Sequence, residues 1–235
     1  MTGILTDATA GYLAAMAPPA DDLVAEMETH AAEEGVPIAG RSVAHLQAIL
    51  ARATGADRAL EFGTAIGYST LHVARTGTDV VTTEVDPDRI EAAASYLRRD
   101  GIEVAVTDDP ATVDPEPSGE GRVVIVAGPA LSNVPDLAGP FDVAFLDAVK
   151  GEYEAYLEAS LERLRTGGVV VADNLLWSGD VPADDAEIED GRTESTAALR
   201  SFNETFVGHE RLDAVITPLD DGTGVAVKVE SATHR

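Results

Sequence analysis

Three side chains that offer oxygen ligands follow two apolar runs in the second half of the chain. Asp147 comes directly after residues 141–146, and Asp173 and Asn174 come directly after residues 169–172. If the two runs are neighbouring parallel strands, their carboxyl ends open on the same crevice and the three side chains converge. Two carboxylates and an amide suit a hard divalent cation, with Mg²⁺ expected and Mn²⁺ or Ca²⁺ as alternatives. The simpler alternative is that each aspartate caps the turn after its strand.

A lysine stands close to the first of these ligands. Lys150 follows Asp147 by three residues and is one of only two lysines in the chain, which otherwise uses arginine for positive charge. A surface so poor in lysine makes a chemical role for each remaining one more plausible. Lysine can lose its proton where its surroundings disfavour the ammonium, whereas arginine stays charged. The alternative is a surface ion pair with Glu154, four residues later.

Two glycines, Gly63 and Gly67, lie four residues apart directly after the apolar run at residues 58–62. Glycines at the end of a first strand permit a tight turn and the close approach of a ligand to the start of the next helix. Such a site favours an anionic or carboxylate-bearing group. The spacing is not the Gly-x-Gly-x-x-Gly of dinucleotide-binding proteins, and no lysine completes a phosphate loop. A plain strand-to-helix turn would explain the glycines equally well.

An acidic residue, Glu84, ends the next apolar run about 20 residues after the glycine turn, the separation seen in adenosine-binding folds. A carboxylate at this position can accept hydrogen bonds from both ribose hydroxyls of an adenosine. On its own, Glu84 is equally well explained as a solvated acid of an acidic protein. The glycine turn and the acid together predict a cofactor that contains adenosine.

The elements that must hold these residues alternate between strand-like and helix-like patterns. Short apolar runs separated by segments of helical period predict βαβ units around a mostly parallel sheet with helices on both faces, so the fold class is α/β. The last two runs are joined by a short turn-rich link, which predicts a C-terminal antiparallel hairpin. The seven strand-like runs lie at residues 58–62, 80–83, 123–127, 141–146, 169–172, 212–217 and 224–229.

Two further segments belong to the same predicted single domain, which spans residues 1–235. Residues 1–55 predict N-terminal helices, of which two end at Gly35 and near Gly55. Residues 107–121 are rich in Asp, Glu and Pro and contain almost nothing apolar. Such a composition predicts a mobile acidic loop inserted before the third strand-like run.

The string from residue 141 to residue 179 is far more specific than any pair of residues within it. It contains Phe-Asp-x-x-Phe-x-Asp-Ala-x-Lys-x-x-Tyr-x-x-Tyr, followed by Gly-Gly-x-x-x-x-Asp-Asn-x-Leu-Trp-x-Gly. This string resembles the signature of the metal-dependent class I S-adenosylmethionine O-methyltransferases of catechol and caffeoyl-CoA type. The resemblance extends to Ile66-Gly67-Tyr68-Ser69-Thr70 in the glycine turn and covers residues 18–230.

The resemblance implies a Rossmann-like methyltransferase domain with S-adenosyl-L-methionine and a divalent cation as cofactors. It implies that Asp147, Asp173 and Asn174 bind the cation. It also implies that Lys150 is the general base, that Trp177 lies near the substrate pocket, and that the acceptor is a small, catechol-like molecule. The residues expected to bind the methyl donor are Glu61, Gly63, Thr64, Gly67, Ser69, Glu84, Gly128, Pro129, Ala130 and Asp147.

Two other interpretations stay open at this point. A non-catalytic adenosyl- or nucleotide-binding regulator would keep the glycine turn, but it would not need the set formed by Asp147, Lys150 and their partners. An NAD-dependent dehydrogenase is disfavoured because the third glycine of its loop is missing. Tyr153 and Tyr156, on the helix expected after Lys150, are predicted to be half-buried packing residues.

Charge and composition exclude several classes of partner. The chain has 235 residues, of which 42 are acidic and 16 basic, and its net charge is −26. This charge repels phosphate backbones and anionic lipid, and no apolar run reaches the roughly 18 residues of a membrane span. We therefore expect a cytoplasmic protein that binds neither nucleic acid nor membranes, and a homodimer stays open. The absence of cysteine excludes disulfides and thiolate chemistry.

The distribution of charge is typical of a halophilic protein. Acids are scattered along the chain and are not gathered in a tail, and lysine is almost absent. Self-repulsion of this size destabilises a fold in dilute buffer and is tolerated where salt screens it within about 3 Å, as at 1 M. An ordinary acidic cytosolic protein is the alternative.

Overall fold

The computed structural model describes residues 7–188 and 190–230, and these residues build one eight-stranded sheet with helices on both faces. The strands are β1 (Arg58–Phe62), β2 (Asp79–Glu84), β3 (Val104–Thr107), β4 (Val123–Ala127), β5 (Phe141–Leu146), β6 (Leu164–Ala172), β7 (Leu212–Thr217) and β8 (Thr223–Lys228). The helices are α1 (Asp7–Met16), α2 (Asp22–Glu34), α3 (Arg41–Thr54), α4 (Tyr68–Ala74), α5 (Pro87–Arg99), α6 (Ala130–Asn133), α7 (Tyr153–Arg163) and α8 (Thr193–Gly208).

The strand order is β3-β4-β2-β1-β5-β6-β8-β7, in which the first six strands are parallel and β8 runs antiparallel to both of its neighbours. The predicted α/β class with a C-terminal antiparallel hairpin is confirmed, and all seven predicted runs are strands. The predicted number of strands was one too few. The additional strand, β3, is a four-residue edge strand whose two central residues are exposed, so it is shorter and less buried than the central strands.

The central strands of the sheet are buried on both faces. Every residue of β1 and β2 is buried, as expected for parallel strands that are covered by helices on each side. One face packs against α2 to α5 through residues such as Met27, Val43 and Leu97. The other packs against α7 and α8 through an aromatic group that includes Phe141 and Phe202. The loops at the strand ends therefore extend from strands that are packed on both faces.

The two N-terminal helices that the glycines were expected to end are present with the predicted bounds. The side chain of Asp21 caps α2 by accepting a hydrogen bond from Val24 N at 2.9 Å. Gly35 and Gly55 then end α2 and α3 in the left-handed conformation, which glycine adopts at little cost. The start of the predicted N-terminal segment, residues 1–6, lies outside the described residues.

The C-terminal end of the acidic segment at residues 107–121 is held against the start of β2 by hydrogen bonds. Asp79, at the start of β2, is buried and accepts hydrogen bonds from Ser118 N at 2.7 Å and from Arg122 N at 2.9 Å. Val113 in the middle of the segment is also buried. These contacts close the segment against the edge of the domain, and its predicted mobility stays a prediction.

The chain order of the strands reverses between β1 and β5, which lie side by side in the sheet. In an open parallel sheet this reversal leaves a crevice outside the carboxyl ends of the strands, where ligands bind. Among residues 7–188 and 190–230, no helix has both the length and the apolar character needed to cross a membrane.

Candidate active site

A cavity of about 600 Å³ opens at the carboxyl edge of the sheet. Its walls are the segments that follow β1, β2, β4, β5 and β6, together with the connector between α2 and α3. This volume is in the range of small-molecule and cofactor pockets. The sequence-predicted residues that line it are Gly63, Thr64, Ser69, Glu84, Gly128, Pro129, Ala130, Asp147, Lys150, Asn174 and Trp177.

Gly63 and Gly67 give the turn after β1 its shape through positive φ angles of 96° and 83°. A Cβ on Gly63 would collide with the backbone carbonyl of Asp147, so this glycine lets the ends of β1 and β5 meet at the cavity. A Cβ on Gly67 would crowd Ala93 of α5. Gly67 therefore packs the turn against α5, and it is not among the residues that line the cavity.

Glu84 ties the glycine turn to the end of β2. Its Oε2 accepts a hydrogen bond from Ala65 N at 2.9 Å, and its Oε1 accepts from Val85 N at 2.8 Å and Asp86 N at 3.0 Å. Ala65 has φ 46°, a left-handed conformation that non-glycine residues adopt rarely. A carboxylate has about four acceptor sites, so Glu84 can hold this turn and still accept a ribose hydroxyl.

Glu61 lies beneath the cavity and is not part of its lining. Its carboxylate accepts hydrogen bonds from Ser69 Oγ at 2.6 Å and from Thr70 Oγ1 at 2.5 Å, at the first turn of α4. Burial raises the pKa of Glu61 to about 7, against the effect of these two hydroxyl groups. The sequence predicts that Glu61 binds the cofactor. In the structure Glu61 instead orients Ser69, and it is Ser69 that lines the cavity.

The segment after β4 forms the neighbouring wall. Gly128 N donates to the backbone carbonyl of Glu84 at 2.8 Å, which joins the ends of β4 and β2. Pro129 and Ala130 follow and begin α6. All three predicted residues line the cavity, as expected for a wall that a ligand contacts mainly through backbone atoms.

Lys150 lies in the opposite half of the cavity, at the end of β5. Its ammonium donates to Asp147 Oδ1 at 2.9 Å, to Asn174 Oδ1 at 2.5 Å and to Tyr153 Oη at 2.6 Å. Two of the three predicted cation ligands thus converge on one positive charge. The predicted meeting of the β5 and β6 ends is confirmed in geometry, although the ligands Asp147 and Asn174 are 27 residues apart in the chain.

Asp173, the third predicted ligand, is buried just below this group. Its Oδ1 accepts a hydrogen bond from Asn174 N at 2.8 Å. Burial and the nearby Asp147 raise the pKa of Asp173 well above its ordinary value. The described part of the chain contains no group of three or more His, Asp and Glu side chains that could hold a metal. A cation here would therefore depend on two carboxylates, the amide of Asn174 and ligands from solution, a set that fits Mg²⁺.

Two tyrosines have roles that the sequence analysis missed. Tyr153 is fully buried, accepts from Lys150 Nζ and donates to the carbonyl of Asp173 at 3.1 Å, so it orients the lysine. Tyr156 lines the cavity and donates to Glu152 Oε2 at 2.5 Å. Both pack in the core, as predicted, but they are buried and not half-buried. The signal available was the spacing of three residues between Lys150 and Tyr153, which places both on one side of the turn that begins α7.

Trp177 closes the same half of the cavity, as predicted. Its ring centroid lies 5.6 Å from Lys150 Nζ. The connector between α2 and α3, Pro37 to Ala39, also contributes to the lining and was not predicted. Its sequence contains no group with a chemical function, so only its position in the fold reveals it.

Comparisons with known proteins agree with this geometry. A family model described as O-methyltransferase matches residues 20–229. The catechol O-methyltransferase of Mycobacterium tuberculosis is 38% identical over 170 residues, which are 71% of this chain and 67% of that protein. The catechol O-methyltransferase of Niastella koreensis is 30% identical over 207 residues, which are 83% of each chain.

Solved structures with bound cofactor show the same fold. An O-methyltransferase from Bacillus cereus in complex with SAH has a TM-score of 0.75 at 26% identity, over 94% of this chain and 97% of that one. TomG from Streptomyces achromogenes, an O-methyltransferase of tomaymycin synthesis in complex with SAM, has a TM-score of 0.74 at 27% identity, over 93% and 95%. The expectation of a methyltransferase is confirmed over both rival interpretations. The chain belongs to the class I S-adenosylmethionine-dependent O-methyltransferases of catechol and caffeoyl-CoA type.

Proposed function

We propose that this enzyme transfers the methyl group of S-adenosyl-L-methionine to one hydroxyl of a small acceptor that has two vicinal hydroxyls, such as a catechol. The observation that carries the proposal is the position of Lys150 Nζ in the cavity, within hydrogen-bond distance of both Asp147 Oδ1 and Asn174 Oδ1. The names of the two bacterial catechol O-methyltransferases among the relatives support the aromatic diol as acceptor.

Asp147, Asp173 and Asn174 would hold the divalent cation, and Mg²⁺ is expected because all three ligands are oxygens. Two of these oxygens already lie around the Lys150 ammonium, which supports a site for positive charge. When bound, such a cation supplies Lewis-acid chemistry, because it polarises chelated hydroxyls and orients them.

The other half of the cavity positions the methyl donor. Glu84 would accept a hydrogen bond from a ribose hydroxyl, and the segment from Gly128 to Ala130 would contact the adenine through its backbone. Ser69, oriented by Glu61, and the turn at Gly63 contact the methionine part. These residues would hold the methyl donor and orient its sulfonium toward the acceptor oxygen, because methyl transfer requires the two reacting atoms to be held close together and aligned.

Lys150, as the neutral amine, takes the proton of the reacting hydroxyl at Nζ and becomes the ammonium. Tyr153 Oη and the amide oxygen of Asn174 hold Nζ at the cavity wall. The lysine is therefore already in position before the methyl acceptor binds. As the proton leaves, the bond from the acceptor oxygen to the methyl carbon forms and the bond from sulfur to that carbon breaks. The products are the methyl ether and S-adenosylhomocysteine.

Removal of the cation tests this proposal. Protein treated with EDTA in molar KCl should bind S-adenosyl-L-methionine with an unchanged dissociation constant in calorimetry, because the cation ligands lie in the acceptor half of the cavity. Methyl transfer to a catechol should be lost and should return when Mg²⁺ is added in excess. Methylation of the catechol at an undiminished rate by the stripped protein would refute the metal assignment.

A further inference from the structure

Trp177 is placed at the cavity by a turn of unusual backbone conformation. Trp177 has φ 51° and its neighbour Ser178 has φ 55°, and both angles lie in the left-handed region that bulky residues rarely adopt. Such a conformation persists only where surrounding contacts impose it, and it is concentrated at binding and catalytic sites. The indole Nε1 is buried and has no hydrogen-bond partner among the described residues. The ring is therefore oriented by other contacts.

Arg192, at the start of α8, supplies several of these contacts. Its NH2 group donates to the carbonyl of Trp177 at 2.7 Å, and its guanidinium carbon lies 4.5 Å from the centroid of the indole ring. Its Nε forms an ion pair with Asp180 Oδ2 at 3.0 Å. One side chain thus contacts the backbone of the turn, the ring that the turn carries, and an acid three residues further on.

The other side of the turn is held by the link between β7 and β8. Ser178 N donates to Asp221 Oδ1 at 2.5 Å, and Leu176 N donates to the Asp221 carbonyl at 2.9 Å. These bonds hold the backbone only. Arg192 differs from them because it also contacts the indole ring, although it is not among the residues that line the cavity.

We infer that Arg192 is a positioning residue that holds the Trp177 indole as the aromatic wall of the acceptor pocket. It thereby favours flat aromatic acceptors. The part that concerns acceptors depends on the proposed function, whereas the orientation of the ring does not. A planar guanidinium can stack on an indole while it donates to a carbonyl and forms an ion pair with a carboxylate. A lysine would offer one point of charge and could not make all three contacts.

Fluorescence tests the structural half of this inference, because Trp177 is the single tryptophan of the chain. Excitation at the red edge of the indole band in the full chain saturated with S-adenosylhomocysteine reports this ring alone. Arg192→Met should shift the emission maximum to longer wavelength, lower the anisotropy and raise quenching by acrylamide at least twofold. Arg192→Lys should restore the emission maximum, the anisotropy and the quenching of the wild type only in part.

Arg211→Met is the matched control, because Arg211 pairs with Glu158 and Glu162, away from the turn, and should leave the indole signal unchanged. Melting temperatures measured on the same samples show whether each variant is folded. Emission and quenching of folded Arg192→Lys and Arg192→Met equal to those of the wild type would overturn the inference.

Kinetics test the acceptor half. Arg192→Met should raise KM for a catechol at least fivefold and leave kcat and the dissociation constant of S-adenosyl-L-methionine within twofold. The same substitution in a Trp177→Leu background should have no further effect on KM, because the wall is already gone. Additive effects of the two substitutions would overturn the role in acceptor binding. If the chain turns over no catechol, the proposed function fails while the fluorescence result still decides the role of Arg192.

Discussion

At the scale of single residues, the proposed reaction depends on Lys150 as the group that takes the proton of the acceptor hydroxyl. Lys150 is surrounded by the oxygens of Asp147, Tyr153 and Asn174. An arginine at this position would also find these acceptors, but it would stay protonated at any working pH. The distinction between charge and proton transfer can therefore be made by a single substitution.

Lys150→Arg should lower kcat by roughly 10²–10⁴, the usual contribution of a positioned general base, while the fold and the affinity for S-adenosyl-L-methionine are kept. The measurement is kcat against pH for both proteins, with cofactor binding followed by calorimetry. If the variant stays within threefold of the wild type with the same pH profile, Lys150 only orients the acceptor and the proton goes to water.

Ionisation of Glu61 costs the fold stability, because its carboxyl group is buried. Burial raises its pKa to about 7, above the ordinary value of 4.5 that applies in the unfolded chain. A raised carboxyl pKa in the folded state means that the stability linked to this group is complete below pH 4.5 and is lost as the pH rises to about 7. The shift corresponds to roughly 3 kcal/mol.

Glu61→Gln should remove this dependence, because the amide does not ionise. The difference in free energy of unfolding between variant and wild type, from denaturant titrations in molar KCl, should move in favour of the variant by roughly 2–3 kcal/mol between pH 5 and pH 8. Other groups titrate in both proteins and cancel in this difference. A difference that is constant with pH would contradict the assignment of a raised pKa to Glu61.

At the scale of elements, the proposed cofactor half of the cavity is formed by the ends of β1, β2 and β4, which hydrogen bonds join to one another. The turn after β1 is bonded to β2 through Glu84, and the segment after β4 is bonded to β2 through the Glu84 carbonyl. Glu84 therefore supports the walls of the pocket as well as offering its carboxylate to a ligand. The preformed turn reduces the ordering that cofactor binding would otherwise require.

Glu84→Ala should weaken binding of S-adenosyl-L-methionine by about 1.5–3 kcal/mol, the loss expected for hydrogen bonds to a charged acceptor. Calorimetry gives the dissociation constant directly. Glu84→Gln serves as the matched variant, since its amide oxygen can keep the bond to Ala65 N while the charge is removed. An unchanged dissociation constant for Glu84→Ala would move the ribose contact to another residue.

At the scale of the whole molecule, charge is the dominant feature. The net charge is −26, and the arginines are largely engaged in ion pairs at the surface, such as Arg99 with Glu26 and Arg211 with Glu162. Exposed pairs of this kind contribute little each. The remaining acids repel one another over a Debye length that grows from about 3 Å at 1 M salt to about 10 Å at 0.1 M.

The melting temperature should therefore be higher in 2 M KCl than in 0.1 M KCl, because added salt screens the repulsion. Scanning calorimetry at both concentrations checks this. Sucrose at matched osmolality is the control, since it is excluded from the surface but does not screen charge. Equal melting temperatures at the two salt concentrations would argue against a halophilic protein and would leave the enzymatic proposal intact.

The amino-acid sequence by itself determined the α/β class, seven of the eight strands and the residues that converge as a candidate cation site. Apolar runs report strands that are buried on both faces, and the string from residue 141 to residue 179 carries Asp147, Lys150 and Asn174 at strand ends that a parallel sheet must bring together. The four-residue strand β3 was missed because an exposed edge strand has no such pattern.

Only the tertiary structure decided which contacts the individual side chains make at the site. The side chains of β1 alternate between two buried faces of the sheet, and that of Glu61 lies beneath the cavity. The spacing of residues does not show which face of the strand lies nearer the cavity. Tyr153 became a partner of Lys150 through the geometry of the turn before α7. Arg192 contacts Trp177 across 15 residues of chain. Contacts of this kind depend on the relative placement of separate elements in space, and local patterns in a sequence do not encode that placement.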